Sequence, residues 1–437
     1  MNSSDTSAQR LVQLLAGDLS FQGTDRHAHP LYALHPFAAR FPYGLPGYFI
    51  DALTYPGDTV LDPMCGSGIT LLEGWAAGRS VIGVDLDPLA RRQAQARTTA
   101  LDGTQVREAG QAALRRTAVL IEGLGSRRDP LEAVKADMDS PTREFLDYWF
   151  FPETQRELAC LTLAIREEPE ADLRNLLEVI FSSTIVTKSG GVSRARDLAH
   201  TRPHRVSDKV PRSPMQLFAN LVERAGDAYA SIDRAAVGDG RVIAGDARSL
   251  PLPDCSVDLI VTSPPYANAL DYMRAHKFSL AWLGDPIPSL TALRREYIGS
   301  ESAGGSATGR WGGSLPPTVA DVVDRVGEAD AAKSRVLGRY FTDMAAAISE
   351  MQRVLRAGSA AVIVVGASTM RGILVPTHKC LADLATAAGF DVAGVAPRNL
   401  DRDRRMMPAR KFGRAVSGAT GIELRMHTEY IIGAVKP

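Results

Sequence analysis

The stretch from residue 59 to 99 alternates between short apolar runs and helical patterns, and this alternation constrains the fold more than any other feature. Thr59 to Leu61 predicts a strand, a glycine turn leads into a helix over 69–77, and Ser80 to Val84 predicts a second buried strand. Pro88 suits the first turn of the helix that follows. Strands and helices that alternate at this spacing form a parallel sheet with helices on its faces. We therefore expect an α/β core with a Rossmann-like fold.

The alternation stops after residue 100 and resumes near residue 240. Most of the intervening stretch has helical periodicity and ends in a polar, basic run at 188–212, so we expect an inserted helical subdomain. The expected organisation is an N-terminal extension (1–29), a cofactor-binding part of the main domain (30–100), a helical insertion with a basic loop (101–235) and a catalytic part of the main domain (236–437).

Further apolar runs in the last part of the chain predict more strands. A late pair of such runs predicts an antiparallel edge on the mostly parallel sheet. The strands expected here are 241–244, 257–262, 360–365, 390–395 and 428–435.

The composition fits a large α/β protein, because 45% of the 437 residues are apolar. The 50 Lys and Arg residues balance the 50 Asp and Glu residues, so binding to nucleic acid must depend on local clusters of positive charge. Four scattered cysteines without a Cys-x-x-Cys pair predict neither a structural zinc site nor a disulfide framework. No signal peptide and no apolar stretch of about 20 residues is found, so we expect a cytoplasmic protein without membrane contact.

A glycine turn follows the first predicted strand, at Asp62-Pro63-Met64-Cys65-Gly66-Ser67-Gly68. Ligands of open α/β sheets bind beyond the carboxyl ends of strands, and the two glycines let the backbone approach a ligand closely. Asp85 and Asp246 end the next two strands, where a carboxylate can accept ribose hydroxyls or an adenine amine. The dinucleotide pattern Gly-x-Gly-x-x-Gly and a Walker lysine are both absent, so we expect a nucleoside-type cofactor other than NAD or ATP.

The segment Thr262-Ser263-Pro264-Pro265-Tyr266 is the most specific local feature. Two consecutive prolines fix the backbone and donate no N–H, so the loop is stiff and its carbonyls can be directed at a substrate. A hydroxyl and a carbonyl held in this way can accept both N–H bonds of an exocyclic base amine and align its nitrogen with an electrophile. The ring of Tyr266 offers a face on which a flipped base can stack.

Three segments of the chain resemble motifs of the S-adenosylmethionine-dependent amino-DNA methyltransferases. Asp62 to Gly68 resembles the cofactor motif DPFxGSGT, with Ile69 in place of the threonine, and Thr262 to Tyr266 resembles the catalytic motif TSPPY. His35 to Phe41 resembles the motif HPxxxKF, with Arg40 in place of the lysine. The resemblance covers roughly residues 30–100 and 240–437.

The resemblance implies a Rossmann-like methyltransferase fold and S-adenosylmethionine as cofactor, with Asp85 on the ribose and Asp246 near the adenine. Serine before Pro-Pro-Tyr is commoner among enzymes that act on N4 of cytosine, and Asp or Asn among those that act on N6 of adenine. We therefore expect N4 methylation of a flipped cytosine, with adenine left open. The implied cofactor-binding residues are His35, Phe37, Asp62, Pro63, Cys65, Gly66, Ser67, Gly68, Asp85, Asp246 and Ala247, and the implied catalytic residues are Ser263, Pro264, Pro265 and Tyr266.

Two basic stretches, 188–212 and 398–414, supply local positive charge for double-stranded DNA. Base recognition is expected in the helical insertion, in the Gly- and Ser-rich loop at 299–317 or in the second basic stretch, and the sequence does not choose among them. It also leaves open whether a cognate restriction endonuclease exists. The expected DNA-binding residues are Lys188, Arg194, Arg196, Arg202, Arg205, Arg404 and Arg405.

Other functions remain in competition with DNA methylation. An RNA base-amine methyltransferase could use the same Pro-Pro-Tyr chemistry, and a non-catalytic nucleic-acid-binding subunit could retain the fold. Methylation of cytosine C5 is disfavoured because no cysteine follows a proline, and Cys65 is expected to be a packing residue. His276 and Lys277 are expected to lie on an ordinary helix surface.

Overall fold

The architecture comes from a computed structural model. It describes residues 6–21, 28–37, 41–123, 129–187, 191–196, 198, 203–206, 208–210, 212–267, 271–300, 314–400 and 428–437. The described helices are α1 (Ser7–Leu15), α2 (Leu45–Leu53), α3 (Ile69–Ala76), α4 (Pro88–Arg97), α5 (Gly103–Glu122), α6 (Pro130–Lys135), α7 (Ser140–Trp149), α8 (Pro152–Arg166), α9 (Ala171–Ile185), α10 (Pro214–Ala230), α11 (Met273–Leu283), α12 (Ile287–Glu296), α13 (Pro317–Ala329), α14 (Ala331–Val354) and α15 (Thr377–Ala387). The described strands are β1 (Thr59–Asp62), β2 (Ser80–Asp85), β3 (Ala195–Arg196), β4 (His204–Arg205), β5 (Gly240–Ala244), β6 (Val257–Thr262), β7 (Leu355–Gly366), β8 (Ser368–Met370), β9 (Ile373–Val375), β10 (Asp391–Asn399) and β11 (Thr428–Val435).

The main sheet has the strand order β10-β11-β7-β6-β1-β2-β5. β1 pairs in parallel with both β2 and β6, so the strand order reverses between β1 and β6. β11 runs antiparallel to its neighbours β7 and β10, while the other pairs of this sheet are parallel. This topology confirms the predicted Rossmann-like fold and its late antiparallel edge. Ligands bind where the strand order reverses, so the carboxyl ends of β1 and β6 mark the expected site.

The central strands are buried on both faces, which explains their nearly continuous apolar sequences. In β7, Ala360, Val362 and Val364 belong to one apolar cluster, whereas Ala361 and Ile363 belong to the cluster on the opposite face. Successive side chains of a strand point to opposite faces, so one strand serves both clusters. Helices α2 and α3 contribute to the first cluster, and helices α14 and α15 contribute to the second.

The segment between α4 and β5 contains helices α5 to α10 and a short ribbon, in which β3 pairs antiparallel with β4. Buried residues of this segment, including Phe181 of α9 and Phe218 of α10, join the same apolar cluster as Trp75 of α3. The helices that were predicted as an insertion therefore extend the apolar cluster on one face of the sheet, with α9 packed against α4.

Helix α1 lies in the stretch that the sequence suggested to be an N-terminal extension. A capping box between Thr6 and Gln9 begins the helix, and Leu11 packs against β11 beside Gly433. The N-terminal helix therefore belongs to the core at the antiparallel edge. Among the helices in the described ranges, none has the length and apolar composition required to cross a bilayer.

Candidate active site

The glycine turn after β1 is fixed by hydrogen bonds to the end of β2. The amide of Gly66 donates to Asp85 Oδ2 over 2.8 Å, and the amide of Cys65 donates to the carbonyl of Val84 over 3.1 Å. Gly68 has a φ of +81°, and a Cβ there would lie 2.8 Å from the Cα of Ala94. A larger residue would be strained and would collide with α4, so the turn requires glycine at this position.

Asp85 ends β2 with its carboxylate directed at this turn. Its Oδ1 accepts a hydrogen bond from the amide of Asp87 over 2.8 Å, and its Oδ2 is bound by the Gly66 amide. Burial raises the pKa of Asp85 to about 6. Because each carboxylate oxygen can accept more than one hydrogen bond, Asp85 can still receive two hydroxyl donors from a ligand.

Asp62, at the end of β1, contacts the strand that leads to the catalytic loop. Its Oδ1 accepts a hydrogen bond from Thr262 Oγ1 over 2.7 Å, and also one from the amide of Met64 over 3.2 Å. Burial raises the pKa of Asp62 to about 7, against the opposing effect of these donors. The glycine turn and the Ser-Pro-Pro-Tyr loop are thus joined by a buried side-chain hydrogen bond.

The Ser263-Pro264-Pro265-Tyr266 loop follows β6 and lines the same space as the glycine turn. Its backbone is held from α14, because the hydroxyl of Tyr340 donates to the carbonyl of Pro265 over 3.0 Å. Tyr340 is fully buried, so this bond anchors the loop to the core. No local pattern in the sequence indicated this anchor, which lies 75 residues further along the chain.

Tyr266 is held by the antiparallel edge of the sheet. Its hydroxyl donates to Glu429 Oε1 of β11 over 2.6 Å, and Arg398 Nε of β10 lies 3.6 Å from Glu429 Oε2. Burial and the neighbouring Glu429 carboxylate raise the pKa of Tyr266 well above its usual range, so the phenol keeps the proton that it donates. Sequence reasoning missed Glu429, although a carboxylate near the start of an otherwise apolar final strand was a usable signal.

Arg398 begins the second basic stretch, but it does not supply the exposed positive charge that we expected of that stretch. Its side chain is 1% exposed and pairs with Glu429, because β10 and β11 place the two residues opposite each other. A buried guanidinium in an ion pair supports the sheet edge and presents no charge to a duplex.

An aromatic group forms another wall of the site. The ring of Phe37 stacks on Tyr272 with centroids 5.1 Å apart, and lies 5.4 Å from the ring of His276. His276 is 3% exposed, and its Nδ1 lies 2.7 Å from Asp87 Oδ2. The expectation that His276 lies on a helix surface was therefore wrong, because its face of α11 packs inward against this carboxylate. Lys277 is half-buried and is also not an ordinary surface residue.

His35 lies behind this wall, where its ring Nε2 is 2.9 Å from Ser182 Oγ and its Nδ1 is 2.7 Å from the carbonyl of Pro36. The buried Arg97 of α4 donates to the carbonyl of Ser67 over 2.7 Å and to that of His35 over 3.4 Å. This guanidinium therefore joins the N-terminal motif to the glycine turn, and His35 shapes the wall without lining the cavity.

These elements enclose one cavity of about 480 Å³, a size typical of small-molecule sites. It brings together the end of β1, the end of β2 and the loop after β6, as the strand topology requires. Of the residues implied by the family resemblance, His35 and Gly68 do not line the cavity. Those that line it are Phe37, Asp62, Pro63, Cys65, Gly66, Ser67, Asp85, Asp246, Ala247, Ser263, Pro264, Pro265 and Tyr266.

Asp246 lines the cavity, and its carboxylate is held by an arginine that sequence reasoning missed. Arg248 donates to both carboxylate oxygens of Asp246, over 3.0 Å from Nε to Oδ1 and 2.8 Å from Nη2 to Oδ2, and also contacts Asp343 of α14 over 2.8 Å. The carboxylate of Asp246 is thus oriented by Arg248, and an adenine amine would have to share it with this guanidinium.

The residues expected to bind DNA are only partly described. Arg196 and Arg205 are exposed on the β3–β4 ribbon, and the Arg205 guanidinium lies 4.4 Å above the ring of Tyr148. Arg194 is half-buried, with its guanidinium 4.5 Å above the ring of Phe151. Lys188, Arg202, Arg404 and Arg405 lie outside the described residues, as do residues 301–313 of the Gly- and Ser-rich loop.

Comparison with known proteins relates the chain to DNA methyltransferases. Residues 18–96 match the family model described as DNA methylase, of the N6/N4 type. The chain is 23% identical over 340 residues to the Type II methyltransferase M.MvaI of Kocuria varians, and the match covers 74% of this chain and 73% of the relative. It is 28% identical to the Type II methyltransferase M.MjaII of Methanocaldococcus jannaschii over 32% of this chain and 25% of the relative. These matches confirm the resemblance to the amino-DNA methyltransferases.

Among solved structures, a TehB-like SAM-dependent methyltransferase from Corynebacterium glutamicum aligns over 95% of this chain and 98% of its own. The alignment has 11% identity and a TM-score of 0.30.

The residues of the cavity fit S-adenosylmethionine, the cofactor of this family. The buried carboxylates of Asp62 and Asp87 and the half-buried carboxylate of Asp85 suit a ligand that carries a sulfonium and an ammonium charge. The acceptors of Asp85 suit the two ribose hydroxyls, and the aromatic face of Phe37 offers apolar contact beside the glycine turn.

Proposed function

We propose that this amino-DNA methyltransferase acts on N4 of a cytosine that is flipped out of a specific duplex DNA sequence. The observation that supports it is the shared cavity in which the Ser263-Pro264-Pro265-Tyr266 loop faces the glycine turn and Asp85. The methyltransferase class and the cofactor are those of the family. The cytosine target, its extrusion from the helix and the sequence specificity are parts of the proposal. We propose cytosine rather than adenine because the residue before Pro-Pro-Tyr is Ser263.

When bound, S-adenosylmethionine supplies an electrophilic methyl group on a positively charged sulfur. The chain must hold a poorly nucleophilic amine in line with that methyl carbon. The carbonyl of Pro265 already accepts a hydrogen bond from the Tyr340 hydroxyl. We therefore assign the carbonyl of Pro264 as one acceptor for the target amine. The hydroxyl of Ser263 is the second acceptor. Hydrogen bonds from both amine hydrogens then hold the nitrogen in place and favour its tetrahedral form.

Tyr266 would carry the stacked cytosine ring. Its bond to Glu429 holds the hydroxyl end of the phenol, so the ring is in place before the base enters. Stacking of a base on an aromatic side chain contributes roughly 1–3 kcal/mol, which offsets part of the cost of extracting the base from the duplex.

For DNA recognition, we propose the segment 101–235 and in particular the β3–β4 ribbon. Arg196 and Arg205 are exposed there, and exposed guanidinium groups can contact phosphates and base edges. A cognate restriction endonuclease is the partner that would accompany such an enzyme in a restriction-modification system.

The test is to incubate the purified protein and S-adenosylmethionine with unmethylated genomic DNA, digest the product to nucleosides and identify them by mass spectrometry. N4-methylcytosine is the expected product. N6-methyladenine would overturn the assignment of the base, and transfer to tRNA but not to duplex DNA would overturn the assignment of DNA. Cofactor binding without transfer to either nucleic acid would instead indicate a non-catalytic subunit.

A further inference from the structure

The cavity has walls of opposite charge. Asp62 and Asp87 lie buried in it and Asp85 is half-buried, whereas Arg274 and Arg294 line its outer part with side chains that are 45% and 32% exposed. The deep carboxylates match a cationic cofactor. The outer arginines are positively charged, so they have no role in binding the sulfonium of that cofactor, and they do not align the amine. Their charge instead suits an anionic ligand.

The outer cations converge on one carboxylate. Arg274 Nε lies 3.0 Å and Arg294 Nη2 lies 2.5 Å from the same oxygen, Oδ2 of Asp271. Lys277, one turn after Arg274 on α11, lies with its ammonium 5.0 Å from the ring centroid of Phe145. Burial lowers the pKa of Lys277, and the neighbouring Arg294 and Arg274 lower it further, against the opposing effect of Asp271.

Arg274 and Arg294, here called the rim cluster, therefore share the single carboxylate of Asp271 within the described part of the chain. A cluster with such an excess of positive charge gains stability when an anion joins it. Guanidinium groups offer paired N–H donors that match the oxygens of a phosphate. The cluster is positioned as an anion site at the entrance that a flipped base would use.

We propose that the rim cluster binds a backbone phosphate of the nucleotide whose base stacks on Tyr266. This rests on the proposed function, because it requires a base that enters the cavity. Arg274, Arg294 and Tyr266 line the same cavity, and the phosphate of a nucleotide lies only one sugar away from its base. Phosphate binding at the rim would hold the extruded nucleotide while its base occupies the Ser-Pro-Pro-Tyr loop.

The test uses a short unmethylated duplex that carries one recognition site of the wild-type protein, which is first mapped by sequencing genomic DNA that the protein has methylated. Its affinity is measured for the wild type and for the double variant Arg274→Gln/Arg294→Gln across a salt series, and cofactor affinity is measured separately without DNA. Arg295→Gln is the matched control, because Arg295 is exposed on the same helix α12 and does not line the cavity. A second series replaces single phosphates around the target base with neutral methylphosphonates.

The double variant is expected to bind the duplex at least about tenfold more weakly, since hydrogen bonds to charged groups are removed. The slope of log K against log salt should fall by about 0.9 for each phosphate that the variant no longer neutralises, with no change in cofactor affinity. Replacing one phosphate with a neutral methylphosphonate should weaken duplex binding by the wild type. The same replacement should not weaken duplex binding by the double variant any further. Asp271→Asn, which removes the acidic partner and keeps the cations, should not weaken duplex binding.

Three results would overturn the proposal. Weaker cofactor binding with unchanged duplex binding would assign the cluster to the carboxylate of the cofactor. Unchanged affinity for both the cofactor and the duplex would show that the cluster only forms a structural ion pair with Asp271. An equal loss of duplex affinity in Asp271→Asn would show that these substitutions act only through the local structure. Failure of the proposed function is distinct, because the wild-type protein would then transfer no methyl group to DNA or would transfer it to adenine.

Discussion

Thr262 Oγ1 donates a hydrogen bond to Asp62 Oδ1 over 2.7 Å, at the point where the strand order of the sheet reverses. Both side chains are buried, at 0% and 3% exposure. One residue ends the strand before the cofactor turn, and the other ends the strand before the catalytic loop. This bond therefore fixes the distance between the two halves of the site.

Thr262→Val removes the donor while keeping the shape of the side chain. Because Asp62 then loses its side-chain partner in a buried position, we expect a loss of about 1–3 kcal/mol in the free energy of unfolding and a lower kcat. Urea denaturation and labelled-methyl transfer measure these two quantities. Thr262→Ser keeps the hydroxyl and should retain most of both. Wild-type stability and kcat in the valine variant would show that the bond is unimportant.

The buried carboxylate of Asp62 should also make stability depend on pH. Its pKa is raised from 3.8 to about 7, so the unfolded chain releases this proton at lower pH than the folded chain does. The free energy of unfolding should therefore fall as pH rises towards 7 and then level off, and Asp85, with a pKa of about 6, acts in the same direction. Asp62→Asn should reduce this fall between pH 5 and pH 8 by roughly 1–3 kcal/mol.

Urea denaturation without cofactor, at pH 5 and pH 8, measures this effect. Asp321→Asn is the control, because that carboxylate is 68% exposed and should leave the pH dependence as it is in the wild type. An unchanged pH dependence in Asp62→Asn would mean that Asp62 is ionised in the folded protein at pH 5.

The parts of the site that follow strand ends could be predicted from the sequence. Parallel strands bring their carboxyl ends to one edge of the sheet, so a glycine turn, Asp85 and the Ser-Pro-Pro-Tyr loop had to meet once the strands were recognised. Local sequence was sufficient here, because each residue lies within a few positions of the strand that places it.

The supports of the site could not be predicted in the same way. Glu429 meets Tyr266 across 163 residues, and this depends on the register of an antiparallel strand that no local pattern specifies. His276 pairs with Asp87 across 189 residues, and helical periodicity does not reveal which polar side chain has a buried partner. Both misjudged residues, His276 and Arg398, are polar side chains whose burial depends on a distant carboxylate.

Ser263→Ala should separate catalysis from cofactor binding. The variant loses the hydroxyl that we assign to the target amine, and loss of one such aligned group typically lowers kcat by about 100- to 1000-fold. Cofactor affinity should not change, because Ser263 is not among the residues assigned to the cofactor. Isothermal titration with cofactor and labelled-methyl transfer measure the two properties. Full activity would refute the assigned role of Ser263, and loss of cofactor binding would reassign it to the cofactor site.

Glu429→Gln tests whether the antiparallel edge positions Tyr266. The neutral amide keeps the size of the side chain but replaces a charge-assisted hydrogen bond with a weaker one, so we expect kcat to fall several-fold. In the Tyr266→Phe background the hydroxyl is absent, and the same substitution should then leave kcat unchanged. An equal fall in both backgrounds would show that Glu429 acts through Arg398 and the stability of the sheet. Urea denaturation of all four proteins identifies that outcome.

The β3–β4 ribbon offers the last test, because it decides whether the segment 101–235 contacts DNA. Arg196 and Arg205 are exposed, and the position of Arg205 is fixed above Tyr148. Arg196→Gln/Arg205→Gln should weaken duplex binding and lower the slope of log K against log salt by up to about 1.8, or 0.9 for each phosphate bound. Arg115→Gln, at an exposed position of α5, is the control and should leave both quantities unchanged. If the two arginines contact base edges instead, affinity for a duplex with the recognition site should fall more than affinity for unrelated duplexes. The slope of log K against log salt should then change little. Unchanged binding to both kinds of duplex at all salt concentrations would remove the ribbon from the DNA interface.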